Sequence, residues 1–180
     1  MKTKRLQMFL IPGLTLAAVA CVPTFEVAEL RHYPVDNLEG IVGRSQLQFD
    51  PDISSDGNGS VKIIAPQPIT VPLYETGDLD IENTRIFYQA KLKSRDLQGK
   101  AYLEMLCHFP GKGEFFSRAL NSPLTGTQDW TSQDTPFILR PGENPDHIKL
   151  NLVIEGTGTV WIDDIRLVEG KSTSSILGQN

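Results

Sequence analysis

Residues 148–167 have the sequence IKLNLVIEGTGTVWIDDIRL, and this stretch decides the fold class expected of the chain. Its two flanks are rich in strand-forming residues such as Val153, Ile154, Val160 and Ile162. The central EGTGT carries two glycines of the kind that a tight hairpin requires. The stretch therefore predicts two antiparallel strands joined by a hairpin at residues 155–159, which would close an all-β sandwich.

The second of these strands carries an unusual carboxylate. Successive side chains of a strand point to opposite faces, so the alternation places Asp163 on one face with Trp161, Ile165 and Leu167. A carboxylate among apolar side chains is strongly unfavourable unless hydrogen bonds or a cation compensate its charge. Two explanations remain open at this point: a structural calcium ion bound with loop oxygens, or backbone N–H groups and water at a strand end.

The C-terminal half resembles the galactose-binding-like jelly-roll superfamily, which includes many carbohydrate-binding modules attached to polysaccharide-degrading enzymes. The resemblance implies a two-layer antiparallel β-sandwich. Many members hold a structural calcium ion between the start of the first strand and the last strand, which nominates Asp163 and, from the counterpart of the opening strand, Glu39 as ligands. The matching positions are Trp130, Phe137, Leu139, Gly142, Gly156, Gly158, Trp161, Asp163 and Asp164.

The N-terminus has the features of a secretory signal peptide. Residues 1–5 are basic, residues 6–19 are mostly apolar, and small residues precede Cys21. The apolar run is shorter than the roughly 20 residues that cross a bilayer. Residues 16–21 resemble a bacterial lipobox, which implies that Cys21 is acylated and that Val22 after it directs the protein to the outer membrane. Ordinary signal-peptidase cleavage after Ala20 is the alternative.

The expected organisation is a signal peptide at 1–20, a lipid-anchored tether at 21–36, one jelly-roll domain at 37–169 and a disordered tail at 170–180. With 39% apolar residues, 12 prolines and 15 glycines, the chain can build one core with many turns. Removal of the leader, with its three basic residues, leaves 14 basic and 22 acidic residues and a net charge of −8. That balance argues against nucleic acid as a partner.

Two central segments alternate cleanly. Residues 84–92 and 101–109 each have one apolar face, and their other faces carry aromatic and polar side chains. Such a mixture suits sugars, whose apolar ring faces stack on aromatic rings while their hydroxyl groups pair with polar side chains. Aromatic residues covered by a loop or a second layer are the alternative. The expected ligand-binding residues are Arg85, Phe87, Tyr102, Glu104, His108, Lys149 and Asn151.

Catalytic motifs are scarce. The chain has three histidines and none of the HExxH, GxSxG, CxxC or glycine-rich phosphate motifs. Cys107 and His108 are neighbours, but adjacent strand residues point to opposite faces, so Cys107 is expected to be a buried, inert thiol. Glu104 and Glu155 are the strand-borne carboxylates that would make a glycosidase.

The sequence as a whole favours a non-catalytic, exported lipoprotein whose jelly roll binds a glycan or a cell-envelope partner, with membrane contact through its N-terminal lipid. Two alternatives stay open. One is a structural or assembly lipoprotein that binds another protein, and the other is a jelly-roll glycoside hydrolase.

Overall fold

The structure is a computed structural model that describes residues 25–172. This part of the chain folds almost entirely into antiparallel strands, with one short 3-10 helix at Arg44–Gln46. The strands are β1 (Phe25–Tyr33), β2 (Gln48–Asp50), β3 (Ser60–Ala65), β4 (Ile69–Gly77), β5 (Thr84–Phe109), β6 (Gly113–Arg118), β7 (Leu124–Leu139) and β8 (His147–Ser172).

Two strands of 26 residues each, β5 and β8, form the central ribbon of the sandwich. They pair antiparallel from Arg85 opposite Gly170 to His108 opposite His147, so each strand passes through both layers. The hairpin expected at residues 155–159 is therefore wrong, because β8 continues through this segment without reversing. Residues 84–92 and 101–109, which the alternation treats as separate strands, are likewise two parts of β5.

Gly156 and Gly158 serve the close approach of β5 and β8. A Cβ atom at Gly156 would lie 1.8 Å from the carbonyl oxygen of Gln98, and one at Gly158 would lie 2.7 Å from the Cα of Leu97. The pairing of β5 with β8 shifts register between Arg95 and Gln98. The two glycines thus let β5 and β8 pass at short distance where the ribbon moves from one layer to the other.

Two layers share this ribbon. In the first, called here the groove layer, residues 147–154 of β8 and 101–109 of β5 lie between the edge strands β4 and β6. The edge position of β4 agrees with its Pro72, which cannot donate a hydrogen bond to a second neighbour. In the second, called the opposite layer, the remaining halves of β5 and β8 pair with β7, β1 and β3, and β2 pairs with β3. The jelly-roll sandwich expected from the sequence is confirmed.

The core forms from the apolar faces that the alternation predicts. Ile86 and Leu92 from the opposite layer and Leu103 and Met105 from the groove layer are all fully buried in one cluster. Cys107 lies in the same cluster, and burial raises the pKa of its thiol to about 12. The thiol is therefore protonated and shielded at neutral pH, as expected of an inert buried cysteine.

The N-terminal boundary of the sandwich differs from expectation. The segment expected to be a tether, 21–36, includes β1, which pairs with β8 from Phe25 opposite Ser172 to Tyr33 opposite Ile165. The same pairing extends β8 three residues into the expected tail at 170–180. The signal peptide and Cys21 lie outside the described residues. Within residues 25–172 the chain forms no helix with the length and hydrophobicity to cross a membrane.

A β-bulge corrects the expected environment of Asp163. Gln89 pairs with Arg166 and Lys91 pairs with Asp163, so Ala90 faces two residues of β8, and Asp164 takes a left-handed φ of 47°. The bulge changes the side-chain parity along β8. Ile165 therefore belongs to the core whereas Asp163 does not share its face, although Asp163 is fully buried.

Trp161 is buried on the outer side of the opposite layer. It pairs in register with Lys62 on β3 and Lys93 on β5 and lies outside the core cluster. The guanidinium carbon of Arg95 is 5.0 Å from its ring centroid, and the indole N–H donates to Oδ2 of Asp50 at 2.9 Å. Cationic side chains and β2 thus cover this ring, which is only 2% exposed.

Candidate functional site

The outer face of the groove layer gathers polar side chains from four strands. Strand alternation sends every second residue of β5 away from the core, and cross-strand register then sets its neighbours. Glu104 faces Asn151 on β8 and Arg118 on β6, and Tyr102 faces Val153. The result is a groove of about 350 Å³, lined by Pro68, Ile69, Thr70, Tyr102, Glu104, Arg118, Val153, Ile154 and Glu155.

Glu104 anchors one end of this groove. Its side chain is 8% exposed, its Oε2 accepts from Nε of Arg118 at 2.5 Å, and its Oε1 accepts from Nδ2 of Asn151 at 3.2 Å. A buried carboxylate with two donors is well compensated. The carbonyl oxygen Oδ1 of Asn151 is buried and has no hydrogen-bond partner among the described residues. An acceptor of this kind is normally satisfied by water or by a ligand.

Arg118 is held in a fixed orientation by two contacts. Its Nε binds Glu104, and its guanidinium carbon lies 4.3 Å from the ring centroid of Phe116. Within residues 27–170, no protein group binds its two terminal nitrogens. Phe116 itself is 60% exposed. Arg118 is thus an oriented hydrogen-bond donor at the groove, and the accessible ring of Phe116 lies next to it.

Glu155 anchors the other end. Its Oε1 accepts from the Tyr102 hydroxyl at 2.6 Å, and its Oε2 lies 3.0 Å from Nζ of Lys100. The Tyr102 hydrogen bond, followed by Lys100, lowers the pKa of Glu155, while burial and then Glu155 raise the pKa of Tyr102 to about 12. At neutral pH the carboxylate is charged and the phenol neutral, so every charge in the groove has an opposite partner.

A series of polar side-chain contacts continues along the same face beyond Glu104. Lys149 binds Glu114 at 2.7 Å, and His147 binds Glu75 at 3.1 Å. His108, opposite His147 in the register, binds Asp146 through Nδ1 at 2.6 Å. These residues form a polar surface next to the groove rather than a part of its wall.

Five of the seven expected binding residues come together on this face: Tyr102, Glu104, His108, Lys149 and Asn151. Arg85 and Phe87 do not join them, because they lie on the half of β5 that belongs to the opposite layer. Phe87 is half-buried there and packs over Gly170, where a Cβ would lie 3.1 Å from its Cε2. Tyr102 is buried as well, so its hydroxyl rather than its ring serves the groove.

Arg118, on the groove wall, and the neighbouring Phe116 were not among the binding residues expected from the sequence. In the register of β6 with β5, Arg118 pairs with Glu104 and Phe116 pairs with Leu106. The alternation of residues 115–118 shows that Phe116 and Arg118 lie on the same side of a strand. Only the pairing of β6 with β5 shows which side that is.

The two expected calcium ligands occupy different surroundings. Oδ2 of Asp163 accepts from the backbone N–H of Ser55 and Oδ1 from that of Asp164, both at 2.8 Å. Glu39 lies between β1 and the 3-10 helix and lines a separate cavity with Tyr33 and Tyr74. Across the described side chains, no three carboxylate, histidine or cysteine groups gather as a metal site would require. The calcium site stays a prediction, and backbone N–H groups account for the burial of Asp163.

Several solved structures with a similar fold are carbohydrate-binding modules. The CBM22-1 xylan-binding domain of Paenibacillus barcinonensis Xyn10C has a TM-score of 0.58 at 12% identity, covering 85% of this chain and 100% of that domain. The CBM22-1 and GH10 modules of Clostridium thermocellum endo-1,4-beta-D-xylanase 10B, complexed with xylohexaose, give 0.59 at 12% identity, covering 82% of this chain but 29% of that one.

A third similar structure is the family 16 carbohydrate-binding module-2, with a TM-score of 0.51 at 14% identity over 68% of this chain and 84% of that module. No protein-family model matches the sequence, and no curated protein matches it. Likeness at this level of identity concerns the fold. The chain therefore has the jelly-roll fold seen in carbohydrate-binding modules.

Proposed function

We propose that the chain is a non-catalytic, lipid-anchored cell-envelope protein whose groove binds a glycan. The observation that carries the proposal is the groove itself, where the oriented guanidinium of Arg118 and the exposed ring of Phe116 lie beside Glu104 and Glu155. Sugars bind where apolar ring faces meet aromatic side chains and hydroxyl groups meet fixed donors and acceptors. The xylan binding named for the similar Paenibacillus domain supports the same class of ligand.

The internal pairing of charges favours an uncharged glycan. Glu104 is compensated by Arg118 and Asn151, and Glu155 by Lys100 and Tyr102. A ligand charge placed in this groove would lose hydration without gaining an unpaired partner, which is unfavourable. Hydroxyl groups can use the free terminal N–H groups of Arg118 and the free Oδ1 of Asn151 without that loss.

The electrostatics of the groove argue for binding rather than hydrolysis. A glycosidase needs one carboxylic acid whose pKa is raised so that it can protonate the leaving group. The hydrogen bond from Tyr102 instead lowers the pKa of Glu155. Glu104 is committed to Arg118 and Asn151. Both carboxylates thus act as structural anchors in this proposal. The wild type and Glu104→Gln should therefore both show no hydrolysis of polysaccharides.

A glycan array on the full-length protein tests the proposal. Phe116→Ala and Arg118→Lys should each reduce the signal of any bound glycan, since they remove the stacking ring and the planar donor. Phe87→Ala is the matched control, because it removes a phenylalanine from the other layer, and it should bind as the wild type does. A dark array, or equal binding by all variants, would overturn the proposed groove.

The membrane part of the proposal rests on Cys21, which lies outside the described residues. Two or more acyl chains on an N-terminal cysteine anchor a protein stably, since each buried CH₂ contributes about 0.8 kcal/mol. Mass spectrometry of the mature N-terminus should find diacylated Cys21, and Cys21→Ser should release the protein from the membrane fraction. An unmodified N-terminus at Cys21 would leave the glycan site unaffected but would remove the anchor.

Protein binding is the second candidate, and one observation favours it. Phe115 and Phe116 are both strongly exposed and project from opposite faces of the edge strand β6. Adjacent exposed aromatic rings on an edge strand are typical of docking surfaces. Phe115→Ala separates the two functions, because loss of Phe115 should weaken a protein partner that uses both rings but leave a glycan in the groove bound.

A further inference from the structure

A second cavity, of about 370 Å³, lies apart from the groove where β1 continues into residues 34–40 beside β4. The rings of Tyr33 and Tyr74 form its wall and stack at a centroid distance of 3.8 Å and an interplanar angle of 11°. Tyr74 is 5% exposed, whereas Tyr33 is only half-buried and offers the accessible aromatic surface.

The charged lining of this cavity is acidic. Asp36, Glu39 and Glu75 line it together with His32, and no lysine or arginine does. Glu75 binds His147, but the side chains of Asp36 and Glu39 have no ion pair or hydrogen bond with any described residue. Arg31 and Arg44 lie near Tyr33 and Tyr74 without lining the cavity, and neither forms an ion pair with Asp36 or Glu39 among the described residues. The negative charge of these two lining carboxylates is therefore unpaired, unlike the charges in the groove.

The arrangement does not suit a metal ion. Calcium binds six to eight oxygen atoms at 2.3–2.6 Å. The carboxylates of this cavity do not gather as such a site would require, since no group of three metal-binding side chains is found among residues 27–170. Separated carboxylates around aromatic rings instead suit a larger cation whose charge is spread over methyl or methylene groups.

We propose that this cavity binds a small organic cation of the alkylammonium or quaternary ammonium class. The electron-rich face of Tyr33 attracts the cation, and Asp36 and Glu39 supply a diffuse negative field. Burial raises the pKa of Tyr74 to about 12, so the stacked ring pair stays uncharged at neutral pH. Tyr74 supports the ring of Tyr33 from behind, and Tyr33 presents its other face to the cavity.

Isothermal titration calorimetry with choline chloride on the full-length protein tests the proposal. Its neutral isostere, 3,3-dimethylbutan-1-ol, has the same shape without the charge, and we expect it to bind at least about tenfold more weakly than choline. Tyr33→Leu and Glu39→Gln should each weaken choline binding severalfold. Glu39 is exposed, so its substitution tests the site even if Tyr33→Leu destabilises the fold. Glu114→Gln, an acid on β6 outside this cavity, should bind choline as the wild type does.

The proposal would be overturned by equal binding of choline and its isostere, by no heat at millimolar choline, or by choline binding unaffected by Glu39→Gln and Tyr33→Leu. Displacement of choline by stoichiometric calcium would do the same, since it would identify a metal site. None of the groove residues takes part, so these results are independent of the glycan array.

Discussion

The indole N–H of Trp161 on β8 donates a 2.9 Å hydrogen bond to Oδ2 of Asp50, which ties the short strand β2 to the centre of the opposite layer. This bond is the largest cause that lowers the pKa of Asp50 below its ordinary value of 3.8. A carboxylate with a lowered folded-state pKa stabilises the fold above its unfolded-state pKa. That stabilisation is lost as the pH falls through the lowered value.

Asp50→Asn should therefore make unfolding less sensitive to acid. At neutral pH we expect it to reduce the free energy of unfolding by about 1 kcal/mol, since a neutral acceptor replaces a charged one. Below pH 3.8 the difference from wild type should shrink. Urea unfolding at pH 7 and pH 3 measures both, and a constant difference at the two pH values would contradict this account.

Asp163 should show the opposite pH dependence. Burial raises the pKa of this carboxyl, although the backbone N–H groups of Ser55 and Asp164 oppose the shift. A raised folded-state pKa means that stability falls as the pH rises from about 3.8 through the raised value. Relative to wild type, Asp163→Asn should thus gain stability between pH 4 and pH 7. Parallel pH curves for the two proteins would show that Asp163 does not titrate differently on folding.

Tyr88 carries a buried hydroxyl with no hydrogen-bond partner among the described residues. Because an unsatisfied buried hydroxyl costs about 1–3 kcal/mol, Tyr88→Phe should leave the free energy of unfolding unchanged or raise it. Tyr102→Phe is the matched control, since it removes the bond to Glu155. We expect it to lose about 1 kcal/mol in thermal or urea unfolding. A clear loss in Tyr88→Phe would indicate a buried water or partner at this hydroxyl.

Gly156→Ala should be among the most destabilising single substitutions. Its Cβ would lie 1.8 Å from the carbonyl oxygen of Gln98, so β5 and β8 would have to separate. We expect a loss of about 3 kcal/mol or more in the free energy of unfolding. Gly126→Ala is the control, because Gly126 has a φ of 64° but no atom within 4 Å of its Cβ position. Backbone strain alone should cost that variant about 1 kcal/mol. Equal losses in the two variants would exclude the close approach as the cause.

Local patterns predict the sheet faces but not the path of the chain. Leu103, Met105, Ile86 and Leu92 are buried as their alternation indicates, because period 2 depends only on neighbouring residues. Paired glycines such as Gly156 and Gly158 suit both a chain reversal and a close crossing of strands. Their sequence cannot distinguish these, since the difference lies in a strand more than 50 residues away along the chain.

The groove was predictable in part for the same reason. The polar face of β5 reveals Tyr102 and Glu104, and the face of β8 reveals Asn151. Their meeting with Arg118 depends on the register of β5 with β6, and the placement of Phe87 depends on which layer each half of β5 joins. The β-bulge at Asp164 is likewise determined by strand pairing. Alternation therefore assigns the wrong face to the side chains that follow it in β8.

The dependence of β1, β3, β4 and β5 on β8 has a consequence for how the protein is made. Ribosomes deliver β8 after these strands, so β1, β3, β4 and β5 each lack a hydrogen-bonding neighbour during most of synthesis. Folding dominated by such distant pairings is slow. The polypeptide should therefore stay unfolded long enough to engage holding chaperones, and the native sandwich should form only when residues 147–172 are available to pair.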